Sequence, residues 1–346
     1  MIVLKGLGLL IGIILVYLIT IIFSPYPKAE PQPVTKVAGL GKKKPPKCRE
    51  TVKFRVGDAK LSGWLYLPET QTGPVPCVVL STGFCGTKDM ILENYALKFV
   101  EAGYAALVYD YRFFGESEGE PRQLYSATHQ LKDLEAAIMC ARKRTEIDAD
   151  KVVLWGTSAG GNYGIIKAAQ DARIAGVIVQ AAALDHKADS KLYFEREGYG
   201  FFFRIFMHAQ RDKGRSRFDL SPHMIPGYGP PSSLAMLTAP GAYDGIAHLA
   251  KESETFRNEF CGRSIVMPHP PDPLKYADQV QCPVLFSVCE KDGIVSPVSH
   301  VRAAEILGER VTVKTYPITH FEIYEGQYFE ESVQDQIAFL DGLKLK

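Results

Sequence analysis

Six short apolar runs, separated by segments with helical periodicity, constrain the fold of this chain more than any other feature. The runs are residues 76–81, 105–109, 151–156, 175–180, 283–288 and 311–316, and the helical segments are 88–102, 124–143, 159–171, 296–308 and 329–344. Buried strands that alternate with helices predict a mostly parallel sheet covered on both faces. Residues 51–56 and 61–67 predict an antiparallel hairpin at its start, which makes the sheet mixed.

One interval interrupts this alternation. Residues 184–280 contain no clear strand, and they hold an aromatic stretch and the Pro-rich segment "SPHMIPGYGPP". We expect an inserted helical cap over about 184–280. Its Phe201, Phe202, Phe203 and Phe206 could line an apolar substrate pocket, although packing of the cap on the core is the commoner role of buried aromatic residues.

The N-terminus carries a long apolar stretch. Residues 6–23, "GLGLLIGIILVYLITIIF", contain no charge, and a helix of about 17–25 such residues crosses a bilayer. We therefore predict that residues 1–23 are a transmembrane anchor. A cleaved secretory signal is one alternative, but "FSPYPKAEPQP" offers no good cleavage site. A buried soluble helix is the other, although such a helix is rarely apolar all round.

Basic residues indicate which side of the membrane the large domain occupies. Only Lys5 precedes the apolar stretch, whereas seven basic residues lie between Lys28 and Arg49. Positive charge favours the cytoplasmic side, so we expect residues 51–346 to lie there. Residues 24–50 are rich in Pro and Lys and predict a linker, whose lysines would also attract anionic headgroups.

The segment Gly156-Thr157-Ser158-Ala159-Gly160 follows a predicted strand and precedes a predicted helix. A strand-to-helix turn this tight forces its central residue into a strained conformation, and glycines on both sides remove Cβ atoms that would clash. The pattern predicts that Ser158 is an exposed nucleophile. The alternative is a strand that ends in a flexible loop.

A serine nucleophile requires a base and an acid that orients it. Asp292 follows the strand predicted at 283–288, and His320 follows the strand predicted at 311–316. Because ligands bind beyond the carboxyl ends of parallel strands, both side chains are expected near Ser158. Glu290 is a rival acid, and a structural role is the alternative for His320. We expect the other histidines to be structural or on the surface: His129, His186, His208, His223, His248, His269 and His300.

Two backbone N–H groups are candidates for an oxyanion hole, those of Phe84 and Ala159. Cys85 has no base paired with it in the sequence, so we expect it to be structural. After the run 105–109, Asp110 and Arg112 predict an ion pair that braces their loop, with a direct role in substrate binding as the alternative.

Composition excludes several classes of function. The formal net charge is +1, which favours no nucleic-acid partner. The seven cysteines are scattered without a Cys-x-x-Cys pair, so neither a metal site nor a disulfide framework is expected, and a reducing compartment is favoured. We expect no cofactor.

Five segments give the chain a resemblance to a known family over about residues 55–345: "GFCGTKD", "YDYRFFGESEGEPRQ", "GTSAGG", "CEKDGIVSP" and "THFEIY". In this order they resemble α/β-hydrolases of the dienelactone-hydrolase and acetyl-xylan-esterase-like kind. "DYRFFGESEG" and "HFEIY" resemble the branch of polyketide-transferase-like hydrolases. The resemblance implies the α/β-hydrolase fold, a triad of Ser158, Asp292 and His320, and acyl transfer, usually to water. The chain departs from the family at Thr82, where a histidine is usual.

The predicted function is that of a serine hydrolase. It would cleave an ester, thioester or amide of an apolar or lipid-like small molecule through an acyl-enzyme on Ser158. The alternatives are acyl transfer to an acceptor other than water, a peptidase, and a non-catalytic binding protein on the same fold.

Overall fold

The protein is built around an eight-stranded mixed sheet. A computed structural model describes residues 2–23, 44–269 and 271–346, so most of the predicted linker lies outside the described residues. The strands of the sheet are β1 (Arg49–Val56), β2 (Ala59–Tyr66), β3 (Val75–Ser81), β4 (Ala105–Tyr109), β5 (Ile147–Thr157) and β6 (Ile174–Gln180), followed after a long insertion by β9 (Val284–Cys289) and β10 (Val311–Tyr316). The insertion contains two-residue strands β7 (Met224–Ile225) and β8 (Phe260–Cys261), which pair with each other.

The strand order is β1-β2-β4-β3-β5-β6-β9-β10. β1 pairs with β2 and β2 with β4 in antiparallel fashion, and every pair from β4–β3 onward is parallel. The predicted mixed, mostly parallel sheet is therefore confirmed. The predicted strands agree with the observed ones to within one residue at most ends, but β5 begins at Ile147 rather than Lys151.

The described residues also form nine α-helices, several of which cover the two faces of the sheet. They are α1 (Ile2–Phe23), α2 (Leu92–Glu101), α3 (Ala127–Arg142), α4 (Ala159–Gln170), α5 (His186–Ser216), α6 (Ala242–Leu249), α7 (Leu274–Ala277), α8 (Pro297–Leu307) and α9 (Gly326–Gly342). Successive strand residues point to opposite faces, so Val79 and Leu154 pack with α3, α4 and α8, while Val78 and Val153 pack with α2 and α9. The continuous apolar runs of the sequence are the result of this two-sided burial.

Residues 184–280, which we call the cap segment, contain α5, α6, α7 and the β7–β8 pair. No strand was expected in this interval. Within its described residues the structure contains only the paired strands β7 and β8, of two residues each. Strands this short carry no detectable alternation, which is why the sequence does not reveal them.

The apolar N-terminal stretch forms α1. Its residues Gly6–Phe23 have a mean hydropathy of 2.8, and none of them is fully buried, although Ile21 and Ile22 near its end are half-buried. This exposure does not favour the alternative of a buried core helix. Within the described residues, this is the one helix long and apolar enough to cross a bilayer.

Candidate active site

Ser158 occupies a sharp turn between β5 and α4. Its backbone has φ 52° and ψ −121°, in the region that residues with a side chain rarely adopt. The Ser158 N–H donates to the Gln180 carbonyl oxygen at 2.9 Å, which fixes the turn against the end of β6. The turn is therefore a defined elbow rather than a flexible loop.

The two glycines of the elbow are sterically required. A Cβ atom on Gly156 would lie 2.3 Å from the Gly160 carbonyl oxygen, and one on Gly160 would lie 2.5 Å from the Ser81 carbonyl oxygen. Contacts this short are not tolerated by backbone atoms, so any larger residue would displace α4 from the sheet. The reason inferred from the sequence for these glycines is thus the one found in the structure.

His320 and Asp292 are in direct contact beyond the carboxyl ends of β9 and β10. The Nδ1 atom of His320 lies 2.6 Å from Oδ2 of Asp292, and both side chains are buried. The other carboxylate oxygen, Oδ1, accepts hydrogen bonds from the N–H groups of Ile294 at 2.7 Å and Val295 at 3.0 Å. These bonds fix the carboxylate so that one oxygen faces the imidazole.

Ser158 and His320 line the same cleft, together with Gly83 and Phe84. The structure thus brings together three of the residues predicted for the site around one opening, and it places Asp292 behind His320. The catalytic roles of these residues stay a prediction.

Neither the rival acid Glu290 nor His300 takes the place of Asp292 or His320. Glu290 is exposed at the end of β9, whereas His320 is paired with Asp292. His300 lies buried on α8, where its Nε2 accepts the N–H of Ala182 at 3.3 Å. Burial lowers the pKa of His300 to about 4, so it is neutral at pH 7 and structural, as expected.

The loop after β3 crosses over the nucleophile candidate. A Cβ on Gly83 would lie 3.0 Å from the Cβ of Ser158, so the backbone of this loop packs directly on the serine. Thr82, which stands where the family usually has a histidine, holds the loop by donating from its hydroxyl to the Gly86 carbonyl oxygen at 3.1 Å. Across the described residues, no backbone hydrogen bond from the Phe84 N–H or the Ala159 N–H is formed, which is compatible with the predicted oxyanion hole.

The cleft has an apolar wall that the sequence analysis did not identify. Its apolar lining residues are Met90, Ile91, Leu92, Ile246, Leu249 and Phe321. Of the two roles considered for Phe201, Phe202, Phe203 and Phe206, the lining of this cleft is observed for none of them. Phe201 and Phe202 pack on the core, which is the commoner role, whereas Phe203 and Phe206 face solvent. The one feature of the sequence that could have indicated this wall is the apolar triplet 90–92, which directly follows the loop with Phe84.

Tyr228 is a second residue that the sequence analysis missed. Its hydroxyl donates to the Phe84 carbonyl oxygen at 2.9 Å, and its ring lines the cleft. The cap segment therefore supports the loop that carries a candidate oxyanion donor. No local pattern around Tyr228 indicates this contact, which joins residues far apart in the chain.

The expected ion pair between Asp110 and Arg112 is not formed. Asp110 instead accepts from the Lys88 ammonium at 2.6 Å, with both side chains fully buried, and Arg112 pairs with Asp133 at 2.5 Å. Both residues lie in the loop after β4, where Lys88 from the loop before α2 approaches Asp110 and Asp133 of α3 approaches Arg112. Both pairs brace the loop, and neither residue lines the cleft.

The remaining reactive groups fit structural roles. Cys85 is buried, and this burial raises the pKa of its thiol well above the usual value, so it carries no thiolate at pH 7. All seven cysteines are free thiols. Among the described residues, no group of three or more His, Cys, Asp or Glu side chains is arranged to hold a metal ion.

Asp189 on α5 lies close to the predicted catalytic acid. Its Oδ1 accepts the N–H of Ser296 at 2.7 Å, while its Oδ2 is buried without a hydrogen-bond partner. Burial raises the pKa of Asp189 to about 7, with a further contribution from the charges of Asp185 and Asp292. Asp189 thus joins the cap segment to the loop that carries Asp292.

Comparison with known proteins gives matches over most of the chain. The family model of serine aminopeptidases of the S33 type matches residues 72–210, which include Ser158 but end before Asp292. The quorum-quenching protein AidA of Acinetobacter baumannii is 37% identical over 295 residues, which are 85% of this chain and 95% of that protein. The polyketide transferase grgF of Penicillium sp is 37% identical over 138 residues, 40% of this chain and 46% of its own length.

Solved structures share the fold. DcsB, determined in complex with its substrate analogue, superposes with a TM-score of 0.73 at 22% identity and covers 85% of this chain and 98% of its own. The α/β hydrolase GrgF from Penicillium superposes with a TM-score of 0.70 at 23% identity over 84% of this chain and 97% of its own. At these identities the likeness concerns the fold alone.

Proposed function

The chain belongs to the α/β-hydrolases, and we propose that it is a serine hydrolase that cleaves an ester, thioester or amide of an apolar small molecule through an acyl-enzyme on Ser158. The observation that carries the proposal is the 2.6 Å contact between His320 Nδ1 and Asp292 Oδ2 in a cleft that also exposes the elbow serine. A base held by a carboxylate next to a strained serine is the arrangement that acyl transfer requires.

Each group has one role in the proposed reaction. His320 Nε2 takes the proton of the Ser158 hydroxyl while the Ser158 oxygen forms a bond to the substrate carbonyl carbon. The N–H groups of Phe84 and Ala159 stabilise the resulting oxyanion. The bond to the leaving group then breaks, and the leaving group takes the proton from His320. Water repeats these steps on the acyl-enzyme and releases the acid. Asp292 accepts a hydrogen bond from the Nδ1 proton of His320 throughout, so that only Nε2 takes up and releases a proton.

The lining of the cleft supports an apolar acyl group. Met90, Ile91 and Leu92 contribute one wall, and Ile246 and Leu249 of α6 contribute another. Apolar side chains bind an acyl chain by removing its surface from water. We expect esters of medium or long acyl chains to be cleaved faster than acetyl esters.

A chain-length series of p-nitrophenyl esters, together with a fluorophosphonate probe, tests the proposal. Ser158→Ala should abolish turnover and labelling while the protein keeps its thermal unfolding transition. Ser190→Ala, which removes an exposed hydroxyl on α5, is the matched control and should change neither. Wild-type esterase rates in Ser158→Ala would refute the proposal, and a clear preference for acetyl esters would refute the apolar substrate class.

Two other acyl-transfer reactions use the same residues. The name of the relative grgF favours transfer to an acceptor other than water, and the name of the matching family model favours an aminopeptidase. Product analysis with and without an alcohol or amine acceptor separates hydrolysis from transfer. Aminoacyl amides as substrates test the peptidase alternative.

We also propose that α1 anchors the protein in a membrane with residues 51–346 on the cytoplasmic side. The support is the length and exposure of the apolar stretch Gly6–Phe23 and the basic residues that follow it. Intact mass of the protein extracted from membranes tests this, because a cleaved signal would leave a product that lacks α1. Protease added to right-side-out vesicles should leave residues 51–346 intact.

A further inference from the structure

Helix α5 exposes three aromatic side chains on one face. Tyr199, Phe203 and Phe206 have exposed fractions of 85%, 63% and 47%. Their spacing of four and three residues places them in one row, which we call the aromatic stripe. The opposite face of α5 is buried through Phe201 and Ile205. Large aromatic residues exposed in a row on a helix mark a surface that another phase or molecule covers.

Helix α1 packs on α5 beside this stripe. The Tyr17 hydroxyl donates to Met207 Sδ at 3.6 Å, and the rings of Phe23 and Phe218 lie 5.3 Å apart. Between these contacts Ile22 packs against Gly214, where a Cβ would lie 2.6 Å from Ile22 Cγ1. The contacts follow the same order along both helices, so α1 and α5 run in the same direction where they meet.

Two arginines of α5 hold the end of α1. The Arg215 guanidinium donates to the Ile22 carbonyl oxygen at 3.3 Å, and Arg211 donates to the Ile21 carbonyl oxygen. Guanidinium groups at the end of an apolar helix are typical of the membrane–water boundary. The aromatic stripe precedes these arginines on α5, just as the apolar residues of α1 precede Ile21. The stripe therefore lies on the membrane side of the arginines.

We propose that the aromatic stripe of α5 inserts into the interfacial layer of the bilayer that α1 crosses, so that the cap segment is a second membrane contact. Phenyl and phenol rings partition into this layer, and the stripe lies on the same side of Arg211 and Arg215 as the apolar part of α1. The proposal rests on the membrane anchor proposed above. In this arrangement the aromatic stripe contacts lipid rather than a second copy of the chain.

Tryptophan fluorescence of the full-length protein in phosphatidylcholine vesicles tests the insertion. Phe203→Trp and Phe206→Trp report on the stripe, and Ile14→Trp reports on the anchor. Met139→Trp is the matched control, because Met139 is similarly exposed but lies in the last turn of α3, near the amino ends of the strands. The emission of the two native residues, Trp64 and Trp155, is subtracted by using the wild-type protein.

Lipids brominated at different depths then separate the outcomes. We expect bromines near the headgroup to quench Trp at positions 203 and 206 more strongly than bromines at the chain end, with Ile14→Trp quenched by both and Met139→Trp by neither. Quenching of Ile14→Trp alone would overturn the inference and leave the anchor standing. Absence of quenching in all variants would overturn both. A blue shift of the stripe reporters that depends on protein concentration, without quenching, would assign the stripe to a second copy and also overturn the inference.

Discussion

Replacement of Asp292 by Asn tests the candidate site more sharply than removal of the nucleophile does. In the structure Oδ1 accepts two backbone N–H groups, of Ile294 and Val295, and Oδ2 faces His320 Nδ1 at 2.6 Å. An asparagine must keep its oxygen toward the two N–H donors, because an amide NH₂ group only donates and cannot accept their hydrogen bonds. The NH₂ group then points at His320 and donates to Nδ1.

The consequence is a change of tautomer. An imidazole that accepts at Nδ1 carries its proton on Nε2, and that nitrogen can no longer take the proton of Ser158. A misplaced proton of this kind lowers kcat by about 10,000-fold in serine hydrolases. At 1.36 kcal/mol for each factor of ten, the loss corresponds to about 5 kcal/mol of transition-state stabilisation. The shape of the side chain is unchanged, so we expect only a small change in stability.

The measurement is kcat for the best p-nitrophenyl ester of the chain-length series, with Glu290→Gln as the matched control. The same change of carboxylate to amide at the exposed Glu290 should leave kcat unaltered. An Asp292→Asn variant that keeps its rate within tenfold of the wild type would refute the assignment of Asp292. If the loss appeared in Glu290→Gln instead, Glu290 would be the acid.

Three further changes have outcomes that follow from the structure. Gly160→Ala should destabilise the fold by more than about 3 kcal/mol, since its Cβ would meet the Ser81 carbonyl oxygen at 2.5 Å, and a normal urea midpoint would contradict this. Lys88→Met removes the cation beside the fully buried Asp110, which among the described residues keeps only the backbone N–H groups of residue 88 and Glu116, and should cost about 3–5 kcal/mol in urea unfolding; a loss below about 1 kcal/mol would contradict this. Asp189→Asn should raise Tm at pH 8 relative to the wild type but not at pH 4. Burial raises the pKa of Asp189 to about 7, so the carboxyl stabilises the folded state at pH values below its unfolded pKa and loses this contribution, at most about 4 kcal/mol, as the pH rises to about 7. Equal effects of the substitution at both pH values would contradict the raised pKa.

The amino-acid sequence by itself determines the sheet and the elbow. Each buried strand is a contiguous apolar run, and each surface helix shows apolar residues at intervals of three and four. Both patterns depend only on residues close together in the sequence. The requirement for glycine at positions 156 and 160 is equally local, because it follows from the sharpness of one turn. Because Asp292 and His320 each follow the carboxyl end of one of two neighbouring strands, their positions in the sequence were sufficient to predict that they meet.

Only the tertiary structure decided which distant groups pair and which side chains form the cleft. Asp110 pairs with Lys88 rather than with its near neighbour Arg112, because different elements approach the two side chains in the loop after β4. The phenylalanines of α5 lie outside the cleft, since Phe201 packs in the core and Phe203 and Phe206 face solvent, whereas Met90 and Ile246 line it. Contacts between loops depend on how separate segments fold over the sheet, and no period within a single segment encodes that arrangement.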